Sequence, residues 1–138
     1  MKIYIAARAK TRVNEVKKAQ EKLKSMGHFV TYDWAVVNVS VRRPYRDPAN
    51  RKHNEAAISK MLRAAAGADV FILLDEPGLR GAYVELGAFL ADVLKRPKHR
   101  RVYIVGPNSH EREHIFESPE YVKFANNIEV VYKDLNKV

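Results

Sequence analysis

The run Asp69-Val-Phe-Ile-Leu-Leu74 limits the possible folds more than any other stretch of the chain. Five consecutive apolar residues, with no polar alternation, suit a strand covered on both faces, as at the centre of a parallel sheet. Parallel neighbours need crossover connections, usually helices. The sequence on either side supplies them. Before the run, Val16, Ala19, Leu23 and Met26 recur at helical spacing and Gly27 follows as a stop signal. After it, a turn-rich loop over 75–81 leads into a second apolar helical stretch.

The remaining elements follow the same alternation. Lys2–Ala7 reads as a first buried strand, with Thr11 placed to cap the helix after it. His28–Tyr32 reads as a second strand. Residues 35–54 carry Arg42, Arg43, Arg46, Arg51, Lys52 and His53 around Pro44 and Pro48, and read as a long loop. A helix is expected from about Asn54, burying Ile58, Met61, Leu62 and Ala65. The helix after residue 81 is expected to bury Tyr83, Leu86, Gly87, Leu90 and Leu94 and to end at Pro97. Arg101–Val105 makes a fourth strand, a short helix is expected around Ile115 and Phe116, and Ile128–Tyr132 is expected to be the fifth strand. The expected architecture is one α/β domain spanning residues 1–138, with five parallel strands and helices on both faces. In such sheets ligands bind at the carboxyl ends of the strands. Those ends are Ala7–Arg12, Asp33–His53, Asp75–Gly81 and Gly106–Ser109.

Composition narrows the chemistry. The chain has 138 residues and no cysteine, which excludes disulfides and zinc–thiolate sites and makes a reducing cytoplasm the simplest compartment. The start of the chain does not read as a signal peptide, and no apolar run approaches a membrane span. The net charge of +9 is unevenly placed: residues 1–69 hold 15 Lys and Arg against 6 Asp and Glu, and residues 70–138 hold 10 of each. An anionic partner would therefore meet the first half. Neither GxGxxG nor GxxxxGK[ST] occurs, so dinucleotide and P-loop nucleotide binding have no support, and no cofactor is expected. His110 and His114 stand four apart but lack the HExxH pattern, so no metal is expected. No serine stands in a nucleophile-elbow context.

Glu85 is the one charge in Gly81-Ala-Tyr-Val-Glu-Leu-Gly-Ala-Phe-Leu-Ala91. Set one helical turn after a Gly-containing loop, it is expected to face the ligand crevice, held anionic by the helix dipole and suited to nucleophilic attack. The ordinary alternative is an acid that merely favours an early helical turn. Arg8, Lys10 and Arg12 crowd the first strand-to-helix turn, a place where phosphate binds, or else form a solvated basic loop. Asp33 and Trp34 end the second strand, and the indole offers a flat face for a base or simply packs in the core.

Three stretches together resemble the nucleoside 2-deoxyribosyltransferase family, which includes the 2′-deoxynucleoside 5′-phosphate N-hydrolases. They are Lys2-Ile-Tyr-Ile-Ala-Ala-Arg8, Gly27-His-Phe-Val-Thr-Tyr-Asp-Trp34, and Ala68–Leu74 leading through Arg80-Gly-Ala-Tyr-Val-Glu-Leu-Gly-Ala88. The resemblance implies a flavodoxin-like fold and a homo-oligomer with shared active sites. It also implies that Glu85 attacks C1′ of a nucleoside or nucleotide and expels the base, the sugar then passing to water or to another base. Tyr4, Ala7, Arg8, Lys10 and Arg12 would line the sugar and phosphate side, with Asp33, Trp34, Arg80 and Gly81 nearby, and Asn108, Ser109 and His114 would reach the neighbouring subunit's site. The chain departs from the family at Met61, where an aspartate is usual; Glu55 and Asp75 are candidate substitutes. Two other readings are a non-catalytic nucleotide sensor on the same fold and, from the Arg-rich segment 42–52, a nucleic-acid-binding module.

Overall fold

The computed structural model describes residues 1–37, 41–97, 99–112 and 117–138. Five parallel strands form one sheet: β1 Lys2–Ala6, β2 Phe29–Val30, β3 Val70–Leu74, β4 Arg101–Val105 and β5 Val122–Ala125. Their order is β2-β1-β3-β4-β5, every neighbouring pair parallel. This is the flavodoxin-like order, in which the chain reverses its direction of growth between β1 and β3. β3 is buried at all five positions, as its unbroken apolar run dictates.

Helices cover both faces. α1 (Ala9–Ser25) and α5 (Ile128–Leu135) pack Val16, Ala19, Leu23, Val131, Tyr132 and Leu135 against Ile3, Ile5, Val70, Ile72 and Leu74. α3 (Pro48–Ala66) and α4 (Gly81–Val93) cover the other face, where Ala65, Ala82, Leu86, Phe89 and Val93 meet Tyr4, Ala6, Phe71, Leu73, Val102 and Ile104. A single turn, α2 (Trp34–Val37), follows β2. Among the described residues no helix is long and apolar enough to cross a membrane.

Several expectations are corrected. Ile128–Tyr132 is helix, not strand, and the fifth strand is Val122–Ala125. The β-branched run is outweighed by an Asn127 side chain that accepts from the Val130 N–H at 3.2 Å and by apolar residues at 128, 131, 132 and 135, a helical stripe. The third helix begins at Pro48 rather than Asn54, because Asp47 caps it by accepting from Ala49 N–H and proline suits the first helical position. Asn54 is instead buried, and its amide bonds both the N–H and the carbonyl of Arg42, pinning the preceding loop. On α3, Ala57 and Ala65 are buried while Ile58 is exposed. α4 is rotated by about one residue from expectation: Ala82, Leu86, Phe89 and Val93 face the sheet, and Gly87 and Leu94 face outward. A helix apolar on all sides does not reveal its buried face by pattern. α1 starts at Ala9, so Thr11 lies inside it and no side chain caps it. β2 keeps only two residues of the expected His28–Tyr32. The helix expected around Ile115 and Phe116 lies outside the described residues.

Candidate active site

The reversal point between β1 and β3 gathers most of the polar residues singled out above. Tyr4, in the middle of β1, points to the α3/α4 face and is fully buried, stacked on Phe71 with 5.6 Å between ring centroids. Its phenol faces Glu85, in the second turn of α4, closely enough for each to alter the other's ionisation. Glu85 is partly buried. Loss of hydration raises its pKa to about 7, and the Tyr4 hydroxyl partly offsets the rise by favouring the anion. Of the expectation of a partly desolvated carboxylate kept anionic, the desolvation is present, and it is this loss of hydration, four residues into the helix, that keeps the acid from being wholly ionised near neutrality. Burial, and then the Glu85 charge, drive the Tyr4 phenol far above its ordinary range, so it stays neutral.

Around the strand ends, Arg8 follows β1 and donates to the Pro77 carbonyl at 3.0 Å, with its Nε 3.8 Å from the Glu76 carboxylate. Gly78 makes this possible: its φ is +80°, and a Cβ there would lie 2.9 Å from Arg8 Nη2. Ala7 lies beside Arg8, half-buried, and Lys10 is exposed in the first turn of α1. Arg12 is held by Glu15 through two 2.8 Å bonds and donates to the Asp75 carbonyl at 3.4 Å. Asp75 is 4% exposed, and its carboxylate accepts from the Tyr83 hydroxyl at 3.3 Å, tying the end of β3 to the first turn of α4. Arg80 and Gly81 are exposed where α4 begins.

Trp34 closes the β2 side. Its indole N–H donates to the Ile5 carbonyl at 2.8 Å, a group that the two-residue β2 is too short to reach. The ring packs against both hydrophobic clusters, so core packing and a place beside the site coincide. Asp33 turns away and pairs with Lys24 of α1. At the far end, Asn108 is exposed, whereas Ser109 is buried and its hydroxyl bonds the Gly106 and Ile104 carbonyls, closing the turn after β4. His114 lies outside the described residues. Met61 packs against the cluster that holds Tyr4, so the position where the resemblance places an aspartate is apolar. Among the described residues no three His, Asp or Glu side chains gather as a metal would require.

The structure thus brings together Tyr4 and Glu85, and separately Arg8, Arg12 and Asp75 around the 75–78 loop. Sequence reasoning treated Tyr83 only as core and Tyr32 only as a strand end. Tyr32 is 9% exposed, sits in the cluster with Tyr4, and its hydroxyl has no hydrogen-bonding partner among the described residues.

No known protein family matches the chain by sequence, and no curated protein matches it. The fold is similar to that of a CMP N-glycosidase from Clostridium botulinum, BcmB, with a TM-score of 0.62 at 12% identity, covering 99% of this chain and 98% of that one.

Proposed function

We propose that this chain cleaves the N-glycosidic bond of a nucleoside 5′-monophosphate, with Glu85 as nucleophile. The observation that carries the reading is the Glu85 carboxyl, raised to about 7 and set against the neutral Tyr4 phenol beside the β1/β3 reversal. A carboxylate of this kind is half ionised near neutrality and poorly hydrated, which suits attack on an anomeric carbon. The likeness to a CMP N-glycosidase along nearly the whole chain supports the same class of reaction.

In the proposed reaction a Glu85 oxygen bonds to C1′ as the C1′–N bond breaks, and the electron pair leaves with the base, which takes up a proton. The sugar ester on Glu85 is then hydrolysed by water, so C1′ is inverted twice and its configuration retained. Tyr4 holds the carboxylate in place. Asp75, at the end of β3 and accepting from the Tyr83 hydroxyl, is the acid assigned to serve the leaving base. Arg8 and Lys10, with the free N–H groups at the start of α1, suit the 5′-phosphate. Trp34 suits the base.

The reading includes a homo-oligomer built on α4. Val84 is 63% exposed and Leu94 84% exposed, and with Gly87 and Ala91 they form an outward stripe that passes beside Glu85. Large apolar residues so aligned are at home in an interface.

The test is direct. Incubation with nucleosides and nucleoside 5′-monophosphates, followed by chromatography for free base, should show release from at least one nucleotide and none from the Glu85→Gln variant. Ligand-dependent stabilisation with no base released would favour the non-catalytic sensor instead. Transfer to an added base separates transferase from hydrolase.

A further inference from the structure

The hydroxyls of Tyr4 and Tyr32 are both buried; that of Tyr4 faces the Glu85 carboxyl, whereas that of Tyr32 has no hydrogen-bonding partner among the described residues. A buried hydroxyl left without a partner loses its hydration and gains nothing in return, so phenylalanine would be the better core residue at position 32. Tyr4 owes its place to Glu85. Tyr32 has no such acid on it, yet it belongs to the same packed cluster, and its phenol lies near enough to Tyr4 to influence its ionisation. The backbone there is fixed on both sides. Gln20, wholly buried on α1, donates to the Tyr32 carbonyl at 3.3 Å, and two residues on the Trp34 indole is bonded to β1. The ring is therefore held by the fold while its polar end is left over.

We propose that Tyr32 is a substrate-contacting residue of the Glu85 site, its phenol donating to a neutral hydroxyl of the ligand's sugar. The inference rests on the nucleotide reading above and adds a residue to it. The sugar, rather than the phosphate, is the group that fits. Tyr4, Tyr32 and Glu85 are neutral or negative, and the cations of the site stand at the β1–α1 turn. A phosphate beside Glu85 would meet its charge unscreened, whereas a sugar hydroxyl would satisfy an orphaned phenol.

The experiment compares the wild-type chain with Tyr32→Phe. Calorimetric titration uses the 5′-monophosphates of cytidine, uridine, adenosine and guanosine, and the 2′-deoxy and 3′-deoxy forms of whichever binds tightest. Thermal unfolding of both free proteins is recorded alongside. The variant is expected to melt at or above wild type, because it deletes only an unpaired hydroxyl, and to bind the full nucleotide about 10-fold more weakly. The deoxy ligand that lacks the contacted hydroxyl should bind the two proteins equally, closing a double-mutant cycle between protein and ligand. Wild-type binding matched by Tyr32→Phe overturns this inference and leaves the nucleotide reading standing. A clear fall in melting temperature also overturns it, since the hydroxyl would then have a structural partner. If the wild-type chain binds none of the nucleotides, the reading and this inference fall together.

Discussion

The Tyr4 phenol and the Glu85 carboxyl face each other between β1 and α4, and their coupling favours one charge state, a neutral phenol with an anionic carboxylate. Burial of Glu85 works against that state and sets its pKa at about 7. Base release, if Glu85 attacks as an anion, should therefore rise with pH along a single ionisation near 7 and level off above it. Tyr4→Phe removes the group that lowers the carboxyl, so the same limb should move to higher pH. A pH–rate profile of the two proteins measures this, and an unmoved limb in Tyr4→Phe would contradict the coupling.

Glu85→Gln should reduce base release by about 10³-fold or more, because an amide cannot form the ester intermediate. The chromatographic assay is sufficient, provided that circular dichroism shows the variant folded. Activity within tenfold of wild type would remove Glu85 from the role of nucleophile.

The same substitution reads out in stability. The folded-state pKa of Glu85, about 7, lies above the ordinary carboxyl value of 4.5, so between those limits the folded protein binds more protons than the unfolded chain. The contribution of the protonated acid is present below pH 4.5 and is lost as pH rises through 7. Glu85→Gln stays neutral throughout. Its stability relative to wild type should thus be near zero at pH 4 and grow to on the order of 1–3 kcal/mol above pH 8. Urea unfolding at several pH values provides the measurement, and a difference that does not depend on pH would refute the assignment.

The fold was legible where one pattern dominated. The apolar run of β3 and the helical spacing of Val16, Ala19 and Leu23 each allow one reading, and both elements stand where expected. Legibility failed where two patterns overlapped. Ile128-Glu-Val-Val-Tyr132 is β-branched enough for a strand, and only the Asn127 cap and Leu135 one turn on resolve it as helix. α4 carries apolar residues on every side with only Glu85 and Asp92 charged, so its buried face is decided by the sheet and by α3. For the site, Glu85 stood out as a lone charge among apolar residues. The unpaired hydroxyl of Tyr32 could not be read there, because it is a property of three-dimensional packing that no spacing rule records.

Trp34→Phe should destabilise the protein by about 1–2 kcal/mol, since it leaves the Ile5 carbonyl without a donor while keeping most of the packing. Trp34→Ala loses the packing as well and should cost about 2–4 kcal/mol. Chemical denaturation separates the two costs. A Phe variant as stable as wild type would show that the indole bond to β1 is dispensable.

Leu94 tests the proposed oligomer without disturbing the core. At 84% exposed it has almost no contacts to lose within its own chain, so Leu94→Glu should change the stability of a lone subunit by no more than about 0.5 kcal/mol. If the stripe Val84, Gly87, Ala91 and Leu94 is covered by a second copy, however, a buried carboxylate there is costly. Sedimentation velocity should then show a dimer for wild type and a monomer for Leu94→Glu at the same concentration. Because Val84 adjoins Glu85, base release should fall with the dimer. Equal masses for the two proteins, with equal activity, would place any oligomer contact elsewhere than on α4.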